Sequence, residues 1–457
     1  MGIGKKSGKL AAELSTRHKL EEFRSGKMGR TISIPIDRID SFEEKKEILE
    51  NAKKNLRVYF IPFCSHVEFP EKFMQEENRR YYLRFYLPKM SSKPFRNLFI
   101  LLNGLGEAGP LIYDDIGLEL SMAGIPSVLF PIPSHFHRRK DFISQDNDIF
   151  AAADNEESKF STQAIMSEIA ASPEKIIYDY KHSMADFNNF LTAIDGNRRD
   201  VNPSLNNFYN KFFHKNVSLF TLGYSLGGLL ALSFLLKYPN RIKACYLLES
   251  GANFGQINAG ILFMRDYPRV KIILKKVRGW IVSGEKSIDE VESLLVTKHD
   301  SDFDKREYRR IARAFKRGKG IEDIDLKKGC FTKTLLEGEN IWFELVKDLR
   351  KIYDDARKPA NFSNEEADIF EKIIFGDKGI LYREDLKQNC KKIFIILGGS
   401  DAIFQIDAIT SFSPRETGLA ILQIPNLGHW LKFSYREVWR EWKRFIMKTI
   451  IEFGNIY

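Results

Sequence analysis

Short apolar runs punctuate this chain at intervals that suit buried strands. Residues 56–62 (Leu56-Arg57-Val58-Tyr59-Phe60-Ile61-Pro62) and 81–87 (Tyr81-Tyr82-Leu83-Arg84-Phe85-Tyr86-Leu87) combine alternation with aromatics and predict the first strands. Residues 97–102, 126–132, 217–222, 244–248, 393–397 and 419–424 are nearly continuous apolar stretches, as expected of strands covered on both faces. Between them the pattern turns helical. The run 229–236 predicts a largely buried helix that stops at Lys237-Tyr238-Pro239, where proline cannot continue it. Further helices are predicted over 173–194, 287–297, 304–317, 342–356 and 434–453, the last with Val438, Trp439, Trp442, Phe445, Ile446 and Ile450 as its apolar positions.

One junction between a strand and a helix carries chemistry. Gly223-Tyr224-Ser225-Leu226-Gly227-Gly228 joins the strand at 217–222 to the helix that follows. A Gly-x-Ser-x-Gly pattern in this setting predicts a sharp turn with serine at its apex. The glycines remove Cβ atoms that would strike the adjoining strand and helix. The hydroxyl of Ser225 then stands at the top of a sheet, beside the positive end of a helix.

In these residues the chain resembles the α/β-hydrolase superfamily. The resemblance implies an α/β fold with a mostly parallel central sheet flanked by helices, and a helical cap or lid inserted into it. It also implies a nucleophilic serine, an acid and a histidine base, in that chain order. Asp401 follows the run 393–397 through Gly398-Gly399-Ser400 and is the candidate acid; Asp407 and Glu249 are alternatives, and Asp401 can also cap the turn that begins near Ala402. His429 follows the run 419–424 in the loop Pro425-Asn426-Leu427-Gly428-His429-Trp430 and is the candidate base. A serine hydroxyl is a weak nucleophile at neutral pH and needs an adjacent base. Imidazole takes and returns a proton near neutrality, and a carboxylate fixes its tautomer. Ser225, His429 and Asp401 are therefore expected as nucleophile, general base and orienting acid.

Two backbone donors should face the oxyanion: the N–H of Leu226 and, from the loop Asn103-Gly104-Leu105-Gly106-Glu107, the N–H of Leu105. That loop resembles the family's His-Gly loop with Asn103 in place of histidine. Gly104, Tyr224, His135 and Trp430 are the candidates for contact with substrate. His135 and His137 form a His-x-His pair with no third ligand at a convincing spacing, so no metal is expected. Neither is a cofactor.

The resemblance spans two stretches, so the chain divides into an N-terminal extension (1–50), a core (51–252 and 389–457) and a helical cap (253–388). Residues 1–50 are polar and basic and read as helical in pieces. The cap contains a basic stretch, 305–317, that suits either a solvated helix face or guidance of an anionic substrate. The net charge of +10 is dispersed among 61 acidic residues and accompanies no nucleic-acid motif, so no nucleic-acid partner is expected. Four scattered cysteines, no signal-peptide pattern and no transmembrane run fit a cytoplasmic protein. The expected activity is hydrolysis of a small-molecule ester or thioester with an apolar acyl part. Amide cleavage, acyl transfer or a catalytically silent binding role on the same scaffold stay open, the last because of Asn103 and the large insertion.

Overall fold

The computed structural model describes residues 32–34, 56–65, 79–89, 94–104, 111–133, 135, 138, 174–196, 202–254, 277–295, 302–319, 349–376, 379–398 and 417–424. Among them nine strands form one sheet: β1 (Ile32–Ile34), β2 (Leu56–Cys64), β3 (Arg80–Pro88), β4 (Phe95–Leu102), β5 (Ser127–Phe130), β6 (Phe213–Tyr224), β7 (Ile242–Leu248), β8 (Ile393–Gly398) and β9 (Ala420–Ile424). Their spatial order is β1-β2-β3-β5-β4-β6-β7-β8-β9. The first four strands in that order pair antiparallel, and every pairing from β5–β4 to β8–β9 is parallel.

The helices are α1 (Leu111–Met122), α2 (Glu174–Ile194), α3 (Pro203–Phe212), α4 (Leu226–Lys237), α5 (Ile288–Leu295), α6 (Asp302–Lys316), α7 (Asn364–Phe370) and α8 (Gly379–Gln388). Residues 277–283 and 349–356 are also helical. The strand side chains divide by parity. Tyr59, Phe85, Ile100 and Leu219 point into a core shared with α2, α3 and α4. Phe99, Phe220, Tyr246 and Phe394 point to the opposite face as a row of stacked rings, with Phe99 and Phe220 centroids 4.7 Å apart. On that face α1 lies so close that a Cβ at Gly117 would sit 2.6 Å from the Tyr86 ring.

The strands and helices predicted from the apolar pattern form where that pattern puts them, with small differences at their ends; of the helix predicted at 342–356 the described residues include 349–356, which are helical, and 342–348 lie outside them. Further elements are additional, among them the helix at 277–283, α7 and α8, all within the segment expected to be a helical cap. Ile32–Ile34 pairs antiparallel with β2, so the stretch read as helical pieces contributes an edge strand. Helices α1 and α3 were not read from the sequence. In α3 the buried positions Leu205, Asn206, Phe208 and Tyr209 mix polar with apolar residues, which weakens the periodic signal. The helix predicted at 434–453 lies outside the described residues.

Helix α7 opens with a capping box, in which Ser363 and Glu366 cap each other's backbone N–H groups. Glu366 also receives Lys181 of α2 and Lys237 of α4 as ion-pair partners. Burial opposes the charge on Glu366, but the two ammonium groups and the Ser363 N–H hold its carboxyl down at about 2. One carboxylate thus ties α7 to the two helices that flank the site.

Candidate active site

Ser225 is the residue between β6 and α4, at φ 52° and ψ −120°. Side chains rarely adopt positive φ because Cβ crowds the backbone, so the turn must be held from outside. Its neighbours show how. A Cβ at Gly223 would lie 2.0 Å from the carbonyl oxygen of Gly227, and one at Gly227 would lie 2.4 Å from the carbonyl oxygen of Leu102. Strand β6, helix α4 and the end of β4 therefore meet at backbone contact distance. The Ser225 N–H donates to the Leu248 carbonyl at 2.9 Å, and the Ser225 carbonyl accepts from Gly228 N–H at 2.9 Å.

Leu226, as the first residue of α4, is among those whose N–H has no acceptor within the helix. The loop after β4 comes alongside. A Cβ built on Gly104 would be 3.3 Å from the Ser225 Cβ and 2.8 Å from the Tyr224 ring. Gly104 donates its N–H to the Tyr113 hydroxyl at 2.9 Å. Asn103, fully buried, accepts the Ile132 N–H through Oδ1 at 2.9 Å and donates through Nδ2 to the Gly104 carbonyl at 3.0 Å. Asn103 thus fastens the loop after β4 to the loop after β5.

A serine at a strained, glycine-flanked turn between a central parallel strand and a helix, with one antiparallel strand (β3) inserted beside β5, is a single known architecture. The chain has the α/β-hydrolase fold. No family model matches the sequence, and no curated protein does. Solved structures with which it aligns include a thermostable carboxyl esterase from Bacillus coagulans (15% identity, TM-score 0.36, covering 87% of this chain and 98% of that one). Others are a soluble variant of monoglyceride lipase from Saccharomyces cerevisiae (14%, 0.36, 86% and 98%) and a meta-cleavage product hydrolase from Pseudomonas fluorescens (13%, 0.33, 82% and 94%). At these scores they say nothing of this chain's chemistry; the strand order and the turn at Ser225 carry the fold.

In this α/β-hydrolase framework a small cleft, open to solvent, lies between α2 and α4. Ile176, Asp179, Tyr180 and Ser183 line it from one face of α2, and Leu226, Leu229 and Leu230 from one face of α4. Pro133 and His135 close a third side, with Phe254 and Ile374 completing it. The cavity includes Leu226 in its lining and is largely apolar. Ser183 spends its hydroxyl on the Asp179 carbonyl at 2.8 Å, which leaves the Asp179 carboxylate, paired with Lys175, as its charged group.

The wall that carries His135 is anchored by a buried polar cluster that the sequence reading missed. Arg138 donates to the Pro131 carbonyl and to Asp186, each at 2.9 Å, and its guanidinium stacks 3.9 Å over the Tyr81 ring. The Tyr81 hydroxyl donates to Asp186 at 3.0 Å, and His182 Nε2 lies 2.8 Å from Ser65 Oγ. Burial pushes His182 below its ordinary value. Burial also disfavours the Asp186 charge, but His182, Arg138 and hydrogen bonding outweigh it and hold the carboxyl at about 2. The available signal was Arg138 itself, a charged residue shortly after the apolar run at 126–132.

Of the site residues expected from sequence, Ser225, Leu226, Gly104 and Tyr224 converge at the turn, and His135 lines the cavity. Tyr224 is buried, with its ring against Gly104. Leu105, Asp401, His429 and Trp430 lie outside the described residues, as do His137 and Asp407. Glu249, the alternative acid, is buried at the end of β7 with φ 46°. Among the described residues no group of His, Cys, Asp and Glu could hold a metal ion, and no helix is long and apolar enough to cross a membrane.

Proposed function

We propose that this chain is a serine hydrolase that cleaves an ester or thioester with an apolar acyl part. Ser225 Oγ attacks the carbonyl carbon while His429 takes its proton, and the carbonyl oxygen becomes an oxyanion facing the N–H groups of Leu226 and Leu105. The C–O or C–S bond to the leaving group breaks as His429 returns the proton to it. Water, deprotonated by His429, then attacks the acyl-enzyme and releases the acid, regenerating Ser225. Asp401 orients the imidazole. The basis for assigning His429 and Asp401 is their place after β9 and β8 in the chain order serine, acid, histidine. The observation that carries the reading is the backbone of Ser225 at φ 52°, held there by glycine contacts that tolerate no Cβ. The apolar cavity beside Leu226 supports an apolar acyl group. In domain terms the core is 51–252 with 389–457, and the cap is 253–388. The cysteine spacing supports a reducing, cytoplasmic setting.

Labelling with a fluorophosphonate probe tests the proposal. Wild-type protein should be labelled, and Ser225→Ala and heat-denatured protein should not. Labelling that survives Ser225→Ala, or folded protein that neither labels nor hydrolyses any ester offered, overturns it.

A further inference from the structure

The described residues contain three non-glycine positions with positive φ, and two of them are neighbours in space. Tyr224 and Leu248 are register partners across β6 and β7. The next residue of each strand, Ser225 and Glu249, is the strained one. The strain at Ser225 belongs to the turn described above; the strain at Glu249 needs its own cause.

Three consecutive residues at the end of β7 face two ways. Leu248 accepts the Ser225 N–H at 2.9 Å, and Ser250 Oγ donates to the Ser225 carbonyl at 2.6 Å. Ser250 also packs against α4, since a Cβ on Gly228 would lie 2.3 Å from its Oγ. Glu249, between them, turns toward β8. Its N–H donates to the Ile396 carbonyl at 2.8 Å, and its Oε2 accepts the Gly398 N–H at 2.8 Å. The trans peptide between Leu248 and Glu249 points its carbonyl at the Ser225 turn and its N–H at β8, and the left-handed backbone at Glu249 sets the direction of its own side chain and of Ser250. Gly398 is the last residue of β8, and the chain continues from it to Asp401.

We propose that Glu249 and Ser250 are positioning residues that hold the Ser225 turn and the end of β8 in fixed relation. This rests on the reading of Ser225 as nucleophile. Glu249 acts here as a hydrogen-bond acceptor, so its charge is dispensable and its carbonyl-type oxygen is not. Glutamine keeps that oxygen; alanine removes it.

Steady-state hydrolysis of p-nitrophenyl butyrate by the full chain, with amide hydrogen exchange on the same samples, tests this. Glu249→Ala should lower kcat by about 10- to 100-fold with KM within about twofold, as expected of a misplaced reacting group. Glu249→Gln should stay within about threefold of wild type and keep its pH profile, and Ser250→Ala should fall between the two. Exchange in peptides covering 219–228 and 393–398 should quicken in Glu249→Ala and Ser250→Ala, with α3 unchanged. A Glu249→Gln loss as deep as that of Asp401→Asn overturns the proposal, because Glu249 would then serve through its charge. Wild-type kcat and exchange in both alanine variants overturns it equally. If Glu249→Ala fails to fold, Ser250→Ala and Glu249→Gln decide. If wild-type protein shows no Ser225-dependent turnover, the hydrolase reading falls and the exchange measurement alone decides the proposal.

Discussion

Arg138 and Asp186 meet at 2.9 Å with both side chains completely buried, joining the loop after β5 to the middle of α2. Two charges in a dry interior stabilise only as a pair; either one left alone costs several kcal/mol. Asp186→Ala should therefore destabilise the protein by about 3–5 kcal/mol, measured by chemical denaturation. Arg138→Met with Asp186→Leu together should cost less than the single change.

The same cluster sets an acid response. His182 has a folded pKa below its ordinary 6.5, so the unfolded chain binds its proton more readily, and stability falls once pH drops below about 6.5. Asp186 has a folded value of about 2 against an ordinary 3.8; its contribution is fully present above about 4 and is lost as pH falls toward 2. Unfolding free energy measured between pH 7 and pH 2 should decline in these two windows. His182→Gln should flatten the upper one, and an unchanged upper slope in that variant would count against the assignment.

The glycine contacts predict opposite outcomes at two positions. Gly227→Ala drives a Cβ into the Leu102 and Asn103 carbonyl oxygens, at 2.4 and 2.5 Å. Backbone there cannot yield without moving β4, so the variant should lose about 3 kcal/mol of stability and nearly all probe labelling. Gly279 lies in the helix at 277–283 with open space around its Cβ position. Gly279→Ala should raise stability by about 0.5–1 kcal/mol through lower unfolded-state entropy and leave labelling unchanged. Thermal melts of both variants check the pair.

Asn103 should matter through its two hydrogen bonds. Asn103→Leu removes the acceptor for Ile132 N–H and the donor to Gly104, and so releases the loop beside Ser225. A loss of about 100-fold in kcat is expected, on the scale of losing an oxyanion donor. Unchanged kcat would exclude this loop from the transition state.

Filling the cavity should change chain-length preference. Ile176→Trp adds bulk on the α2 wall across from Leu229 and Leu230. Among p-nitrophenyl esters of increasing length, kcat/KM for the longer acyl groups should fall about tenfold while acetate is unaffected. A uniform change across the series would put the acyl group elsewhere.

The parts of this molecule that are legible in sequence share one property: each repeats a local rule. Residues 217–228 announce strand, sharp turn and helix because glycine, serine and leucine each meet a local steric demand. The runs at 97–102 and 393–397 declare themselves by continuous apolar character. What stays hidden depends on residues distant in sequence. Arg138 reads as one more basic residue until Tyr81, His182 and Asp186 surround it. Ile32–Ile34 is three residues long and becomes a strand only because β2 offers it an edge. Glu249 looked like an alternative acid in the sequence, and its grip on Gly398 needs the β7–β8 pairing to exist first.

The pairing of β4 with β6 has a consequence for when the protein becomes competent. Leu102 and Gly223 are register partners, so the loop at Asn103 and the turn at Ser225 come together only when strands more than a hundred positions apart zip up. Closing so long a loop is slow relative to forming either helix alone. A nascent chain ending before residue 223 holds the first half of a pocket and no reactive group. On the reading proposed above Ser225 also needs His429, far beyond residue 223 in the sequence, so the central pairing assembles the turn and its loop first and reactivity waits for the strands that follow.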